Sequence, residues 1–252
     1  MSGLGLIAAG YLAVCLLLYI FQRNLLYFPQ QLTASAKPYI QTLDTNDGSL
    51  NLSVRNVDDS QAIIFFGGNA DDVSQYLLPF SNAFPEHALF LVHYRGYGGS
   101  TGEPTEQAFH SDAREVYQLV SQSYSKITVI GRSLGTGVAI RLAREQDVEK
   151  LILISPYDSI AAVAQGRFRI FPVNLLMLDR FDSLQHAPHI DIPSLIITAE
   201  TDGVIPHRHT DKLVAGMNPA VLRTATIAGT NHNSIFNNPE SFVAIKEFLA
   251  DR

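Results

Sequence analysis

The chain has 252 residues, of which 46% are hydrophobic and 17% charged, with a formal net charge of −6 and a single cysteine. Its length and apolar content suit one large core rather than several small ones. The charges are scattered, which argues against nucleic acid as a partner because phosphate binding selects a clustered basic surface, and one cysteine excludes an internal disulfide.

Residues 4–21 carry no charge. A run of about 18 apolar or small residues is close to the minimum for a helix that crosses hydrocarbon, so residues 1–26 are expected to form a membrane anchor. A cleaved signal peptide fits less well: no basic residue opens the run, and nothing small follows it to be cut at Tyr19-Ile20-Phe21-Gln22-Arg23. The alternative is a hydrophobic helix packed on the domain. Leu12-Ala13-Val14-Cys15 has the look of a lipoprotein processing site, but the apolar run continues past it, so Cys15 reads as a packed or lipid-facing residue. Tyr27 and Phe28 suit the interface. Arg23 and then Lys37 follow the run and no Lys or Arg precedes it. The positive-inside bias therefore favours a cytoplasmic catalytic domain, with a translocated domain behind an uncleaved anchor as the alternative.

Strand-like and helix-like stretches then alternate. Residues 39–43 and 50–57, joined by Thr45-Asn46-Asp47-Gly48, predict a hairpin at the edge of a sheet. Further strands are expected at 62–66, 88–93, 127–130, 151–154, 194–198 and 221–227, and helices at 72–84, 105–123, 133–145, 207–217 and 239–250. This pattern specifies an α/β fold with a mostly parallel sheet covered on both faces.

Gly131-Arg132-Ser133-Leu134-Gly135 falls between an expected strand and an expected helix, the context in which G-x-S-x-G marks a nucleophile on a sharp turn. Ser133 is the candidate nucleophile. A serine hydroxyl needs an imidazole to take its proton and a carboxylate to orient that imidazole. Downstream, Asp202 follows the strand at 194–198, and His232 lies in the turn-rich Ala228-Gly229-Thr230-Asn231-His232-Asn233-Ser234. Asp158, after the strand at 151–154, competes with Asp202 for the role of acid. An oxyanion hole is expected from the Leu134 amide and from the loop Gly67-Gly68-Asn69-Ala70, with the Asn69 amide preferred over that of Ala70.

These segments resemble the alpha/beta hydrolase superfamily, and more closely its branch of abhydrolase-domain proteins with a leading membrane segment and a short cap, which includes protein depalmitoylases and many bacterial hydrolases. The resemblance runs from residue 27 to the C-terminus. It rests on the Gly67-Gly68-Asn69-Ala70 loop, on residues 93–102, on the elbow, on Ser155-Pro156-Tyr157-Asp158-Ser159, on Asp202 with Pro206, and on His232. Many relatives have His-Gly where this chain has Gly67-Gly68, and Asp in place of His93. The resemblance implies an alpha/beta-hydrolase fold with an eight-stranded, mostly parallel sheet, a catalytic domain over 27–252 and a serine hydrolase that needs no cofactor.

More than thirty residues separate Ser155 from Ile192, more than a connection requires, and a small cap over about 156–191 is expected. Phe168, Phe171, Leu175 and Met177 are its candidate pocket residues, and their apolar character suits an acyl chain. His207-Arg208-His209 and His186-x-x-His189 have metal-like spacings without a supporting cluster, so they are read as surface histidines and no metal is expected. Arg95 and Tyr97 are expected to brace loops beside the elbow. Asn51-Leu52-Ser53 fits a glycosylation sequon but lies in an expected strand. The function expected is a membrane-anchored serine hydrolase that cleaves a small or lipid-like carboxylic ester or thioester through an acyl-enzyme. A lipase or serine peptidase of the same fold is the alternative among enzymes; a catalytically silent, membrane-tethered interaction module is the alternative outside them.

Overall fold

Apolar runs of five or six residues are too short for buried helices and too uniformly apolar for strands with one wet face, so they become strands covered on both sides. The computed structural model describes residues 3–45, 47–57 and 59–251. The strands are β1 Ile40–Thr45, β2 Gly48–Arg55, β3 Gln61–Phe66, β4 His87–Val92, β5 Lys126–Arg132, β6 Lys150–Ile154, β7 Ser194–Thr201 and β8 Leu222–Asn231. They form one sheet in the order β1-β2-β4-β3-β5-β6-β7-β8, in which β1 and β2 make the antiparallel edge and the other six strands run parallel. Asn46, in the expected hairpin turn, lies outside the described residues.

Alternate residues of each interior strand serve opposite cores, as the period of two requires. Ile64 and Phe66 of β3 join one cluster, with Val129, Leu153 and Ile196; Ile63 and Phe65 join the other, with Ile130, Ile152 and Ile197. The first cluster is covered by α3 Glu106–Ser121 and α4 Gly135–Glu145 through Phe109, Val116, Val138 and Ala139. The second is covered by α2 Leu77–Ala83 and α8 Pro239–Ala250 through Leu77, Phe80, Ile245 and Phe248. The remaining helices are α1 Gly3–Leu26, α5 Ile160–Arg167, α6 Val173–Leu176 and α7 His207–Gly216.

The sheet confirms the expected order of elements; several ends shift by about two residues, β1 and β2 closing the hairpin at 45 and 48 and α4 starting at 135, and two departures have a local cause. The helix expected over 72–84 opens as a tight 3₁₀ turn, Val73–Tyr76, because the Asp72 carboxylate accepts from the Ser74 amide and hydroxyl and winds the first turn more closely. Strand β8 continues to Asn231 rather than stopping at 227. It does so through a bulge: Ala199 pairs with Ile227 and Thr201 with Asn231, so β8 spends four residues where β7 spends two. Gly229 takes φ 69° there, and its amide donates to Glu200.

The segment between β6 and β7 carries α5 and α6 and lies against α1 rather than standing free. Tyr11 Oη donates to the Ile170 carbonyl at 2.8 Å, and its ring stacks on Phe171 at 5.8 Å. Gln22 Nε2 donates to the Leu176 carbonyl, Gln22 Oε1 accepts from the Leu178 amide, and Arg23 pairs with the buried Asp179 at 3.0 Å. Over its 24 residues α1 is long and apolar enough to cross a membrane.

Candidate active site

Ser133 has φ 48°, in the left-handed region that L-residues enter only at a cost of about 1–2 kcal/mol. Its surroundings hold it there. The Ser133 amide donates to the Ile154 carbonyl of β6 at 2.8 Å, and the Ser133 carbonyl accepts from the amide and hydroxyl of Thr136 at 3.0 and 2.7 Å. The flanking glycines are required by space: a Cβ on Gly135 would lie 2.1 Å from the Phe66 carbonyl oxygen, and one on Gly131 would lie 2.6 Å from that of Gly135. Strand and helix approach so closely that the serine at the turn between them is forced out at the carboxyl end of the sheet.

His232, just beyond β8, has Nε2 3.0 Å from Ser133 Oγ and Nδ1 2.7 Å from Asp202, which follows β7. These distances suit an imidazole that donates from Nδ1 to the carboxylate and accepts the serine proton at Nε2. The other Asp202 oxygen accepts from the Val204 and Ile205 amides at 2.9 and 2.7 Å. Burial works to raise the Asp202 pKa, but the hydrogen bond and charge of His232 and these two amides outweigh it, and the carboxyl sits below its ordinary value. Ser133 and His232 are both buried.

Asp158 is engaged elsewhere. Its carboxylate meets His209 Nδ1 at 2.7 Å and Lys212 at 3.5 Å, and it accepts from the Ser159 amide at 2.8 Å. The surface reading of His209 is therefore corrected, since its ring is buried with a carboxylate partner. His186 is buried too; desolvation and the neighbouring Arg144, 2.9 Å away, push its pKa down to about 4. His189 is exposed and His207 half-buried.

The loop after β3 is held from four sides. Tyr94 Oη donates to the Gly67 carbonyl at 3.0 Å, and the Gly68 amide donates to Asp71 at 2.7 Å. Tyr97 Oη donates to the Asn69 carbonyl at 2.7 Å, which fits the bracing expected of Tyr97. Asn69 Nδ2 donates to the carbonyl of Leu26, the last residue of α1, at 2.8 Å. Among the described residues, the backbone N–H groups of Leu134, Asn69 and Ala70 donate to no protein acceptor, as the donors of an oxyanion hole must. Arg95 instead makes a buried pair with Asp112 of α3 at 2.6 Å.

One residue at the site escaped sequence reasoning. Arg132, the variable position of the elbow motif, reaches both oxygens of Asp71 through Nη1, at 2.7 and 2.8 Å, and donates through Nη2 to the His232 carbonyl at 2.9 Å. Its signal was present: an arginine at the end of a buried strand needs a carboxylate, and Asp71-Asp72 follow the glycine loop. Gly68 makes room for it, because a Cβ there would lie 2.9 Å from Nη1.

A groove of about 130 Å³ opens between α1 and the segment that follows β6. Phe168, Phe171 and Met177 line it. Leu175, expected with them, points outward and is 85% exposed.

No family model matches the chain. It is 29% identical over 266 residues to a Mycobacterium tuberculosis protein described as uncharacterized, a match that covers 98% of this chain and 92% of that one. It is 31% identical over 185 residues to the lysophosphatidylserine lipase ABHD12 of Danio rerio, covering 62% of this chain and 48% of the relative. An esterase from Pyrococcus furiosus superposes with a TM-score of 0.69 at 18% identity, covering 89% of this chain and 97% of the other.

Proposed function

We propose that this chain, which belongs to the alpha/beta hydrolase superfamily, is a serine hydrolase that cleaves a carboxylic ester or thioester through an acyl-enzyme. The observation that carries the reading is the unbroken line Asp202–His232–Ser133 at 2.7 and 3.0 Å. Ser133 Oγ attacks the acyl carbonyl while His232 Nε2 takes its proton, and the Leu134 and Asn69 amides receive the oxyanion. His232 then protonates the departing alcohol or thiol. Water activated by the same imidazole releases the acid and restores Ser133. Asp202 keeps Nδ1 protonated and stabilises the imidazolium.

Residues 1–26 serve in this reading as a membrane anchor, 27–252 as the catalytic domain and 156–191 as its cap, with the domain on the cytoplasmic side of the membrane. The length and apolarity of α1 support the anchor, and Arg23 at its end supports the orientation. Labelling of the purified full-length protein with a fluorophosphonate probe tests the reading: the wild type is labelled at Ser133 and Ser133→Ala is not. An unlabelled wild type would instead support a silent interaction module.

A further inference from the structure

We propose that the groove between α1 and the cap is an acyl-chain site, so that the membrane helix is itself a wall of the substrate pocket and the substrate is a long-chain lipid ester that enters sideways from the bilayer. The inference rests on the serine-hydrolase reading and names its substrate class.

The lining specifies a hydrocarbon occupant. Leu18 and Leu26 of α1 face Ala164, Phe168 and Met177 of the cap, and the one polar side chain among the lining residues, Gln22, has spent its amide on the Tyr19 and Leu176 carbonyls and the Leu178 amide. Nothing polar is left for a head group.

One lining residue of the groove is bonded to the candidate oxyanion loop, although no residue of the candidate triad lines it. Leu26 lines it, and the Leu26 carbonyl is the acceptor for Asn69 Nδ2 in the candidate oxyanion loop. A chain lying in the groove would thus run from α1 toward the amides proposed to bind its carbonyl.

The outer end belongs in lipid. Leu25 of the groove lining is exposed, as are Ile170, Leu175 and Leu178 of the cap and most of α1. Polar contacts fasten α1 to the cap from Tyr11 to Arg23, a rise of about 18 Å at 1.5 Å per residue. The part of α1 beyond Tyr11, residues 3–10, adds only about 12 Å, against a hydrocarbon thickness of about 30 Å. A bilayer that takes in α1 must therefore also meet the part of the cap fastened to it, and the groove then opens toward acyl chains instead of water, with the exposed Arg167 and Arg169 beside Phe168 and Ile170 able to reach the head groups.

The test uses the full-length protein in phosphatidylcholine vesicles. With Ser133→Ala, a palmitoyl ester bearing a diazirine in its chain should crosslink to α1 and cap peptides that line the groove, and Leu18→Trp should cut that yield severalfold. On the unblocked serine, Leu18→Trp and, from the opposite wall, Ala164→Trp should each lower the ratio of kcat/KM for p-nitrophenyl palmitate over p-nitrophenyl acetate by about tenfold, since each buried methylene is worth roughly fourfold. Leu4→Trp, on α1 beyond the groove, should leave the ratio unchanged. Crosslinks confined to other surfaces, an unchanged ratio in both groove variants, or an equal fall with Leu4→Trp would overturn the proposal. Failure of the fluorophosphonate to label Ser133 would sink the hydrolase reading instead, and the crosslinking would still judge the groove.

Discussion

Arg132 and Asp71 meet across the gap between the elbow strand and the loop after β3, with Nη1 of the guanidinium 2.7 and 2.8 Å from the two carboxylate oxygens and both side chains nearly closed to solvent. Because Nη2 also holds the His232 carbonyl, one guanidinium fixes the strand that ends at Ser133, the candidate oxyanion loop and the loop of His232 together.

Arg132→Lys keeps the charge but loses the planar fork that serves two acceptors at once. Misplacement of either loop by about 1 Å predicts a fall in kcat of about 10²-fold, with KM for a short ester changed far less. Steady-state kinetics on the variant decide it; a rise in KM alone would mean that Arg132 acts on binding and not on the geometry of the reacting groups.

Ser133→Ala and His232→Ala should each abolish ester hydrolysis and leave the melting temperature close to that of the wild type. Because the two side chains act as a unit, the double variant should be no worse than either single. Multiplicative losses would show that they contribute independently.

Asp202→Asn should lower turnover by about 10⁴-fold, since an amide at that position favours the wrong imidazole tautomer. Asp158→Asn should cost much less activity, because its partner is His209 and not His232. The reverse ranking would transfer the role of acid to the earlier strand.

Acid should destabilise the fold through His93, whose buried ring lies 2.9 Å from Ser53 Oγ. Desolvation, only partly opposed by Asp72, pushes its pKa from 6.5 down to about 4. Between those values the unfolded chain holds the extra proton, so stability falls as pH drops through the window, by up to about 1.4 kcal/mol per pH unit for this group. Urea unfolding at a series of pH values should show a shallower dependence for His93→Gln, and an identical slope would show that His93 does not carry it.

Removal of residues 1–23 should give a soluble protein that still reacts with the fluorophosphonate, because Leu26 and its bond to Asn69 remain. It strips Asp179 of Arg23, but the arginine is 47% exposed, so the loss should be about 1 kcal/mol and not the larger penalty of a fully buried pair. Thermal melting and probe labelling of the truncated chain check both parts; a folded but unlabelled product would place a required group on the missing helix.

The strands and the turn at Ser133 could be read from the sequence because both are local: continuous apolar runs announce strands buried on two faces, and glycines two residues either side of a serine announce a crowded turn. Pairing across the chain could not. Asp71 lies 61 residues from Arg132, and Asp158 lies 51 residues from His209, so a buried ion pair looked like an incidental arginine and a buried histidine like a surface one. The partnership of α1 with the cap is more distant still, with 159 residues between Tyr11 and Ile170. A hydropathy profile sees only that the helix is apolar, not that its polar side chains are already taken.

The bulge in β8 is a measure of reach. Strand β8 lies three strands from β5 in the sheet, about 14 Å at the usual spacing, yet His232 reaches the serine that follows β5. The two surplus residues between Ile227 and Asn231 supply the chain length for that span while Ile227 keeps its place in the core. Shortening this stretch by one residue would leave the sheet and both cores intact but carry the imidazole away from Ser133.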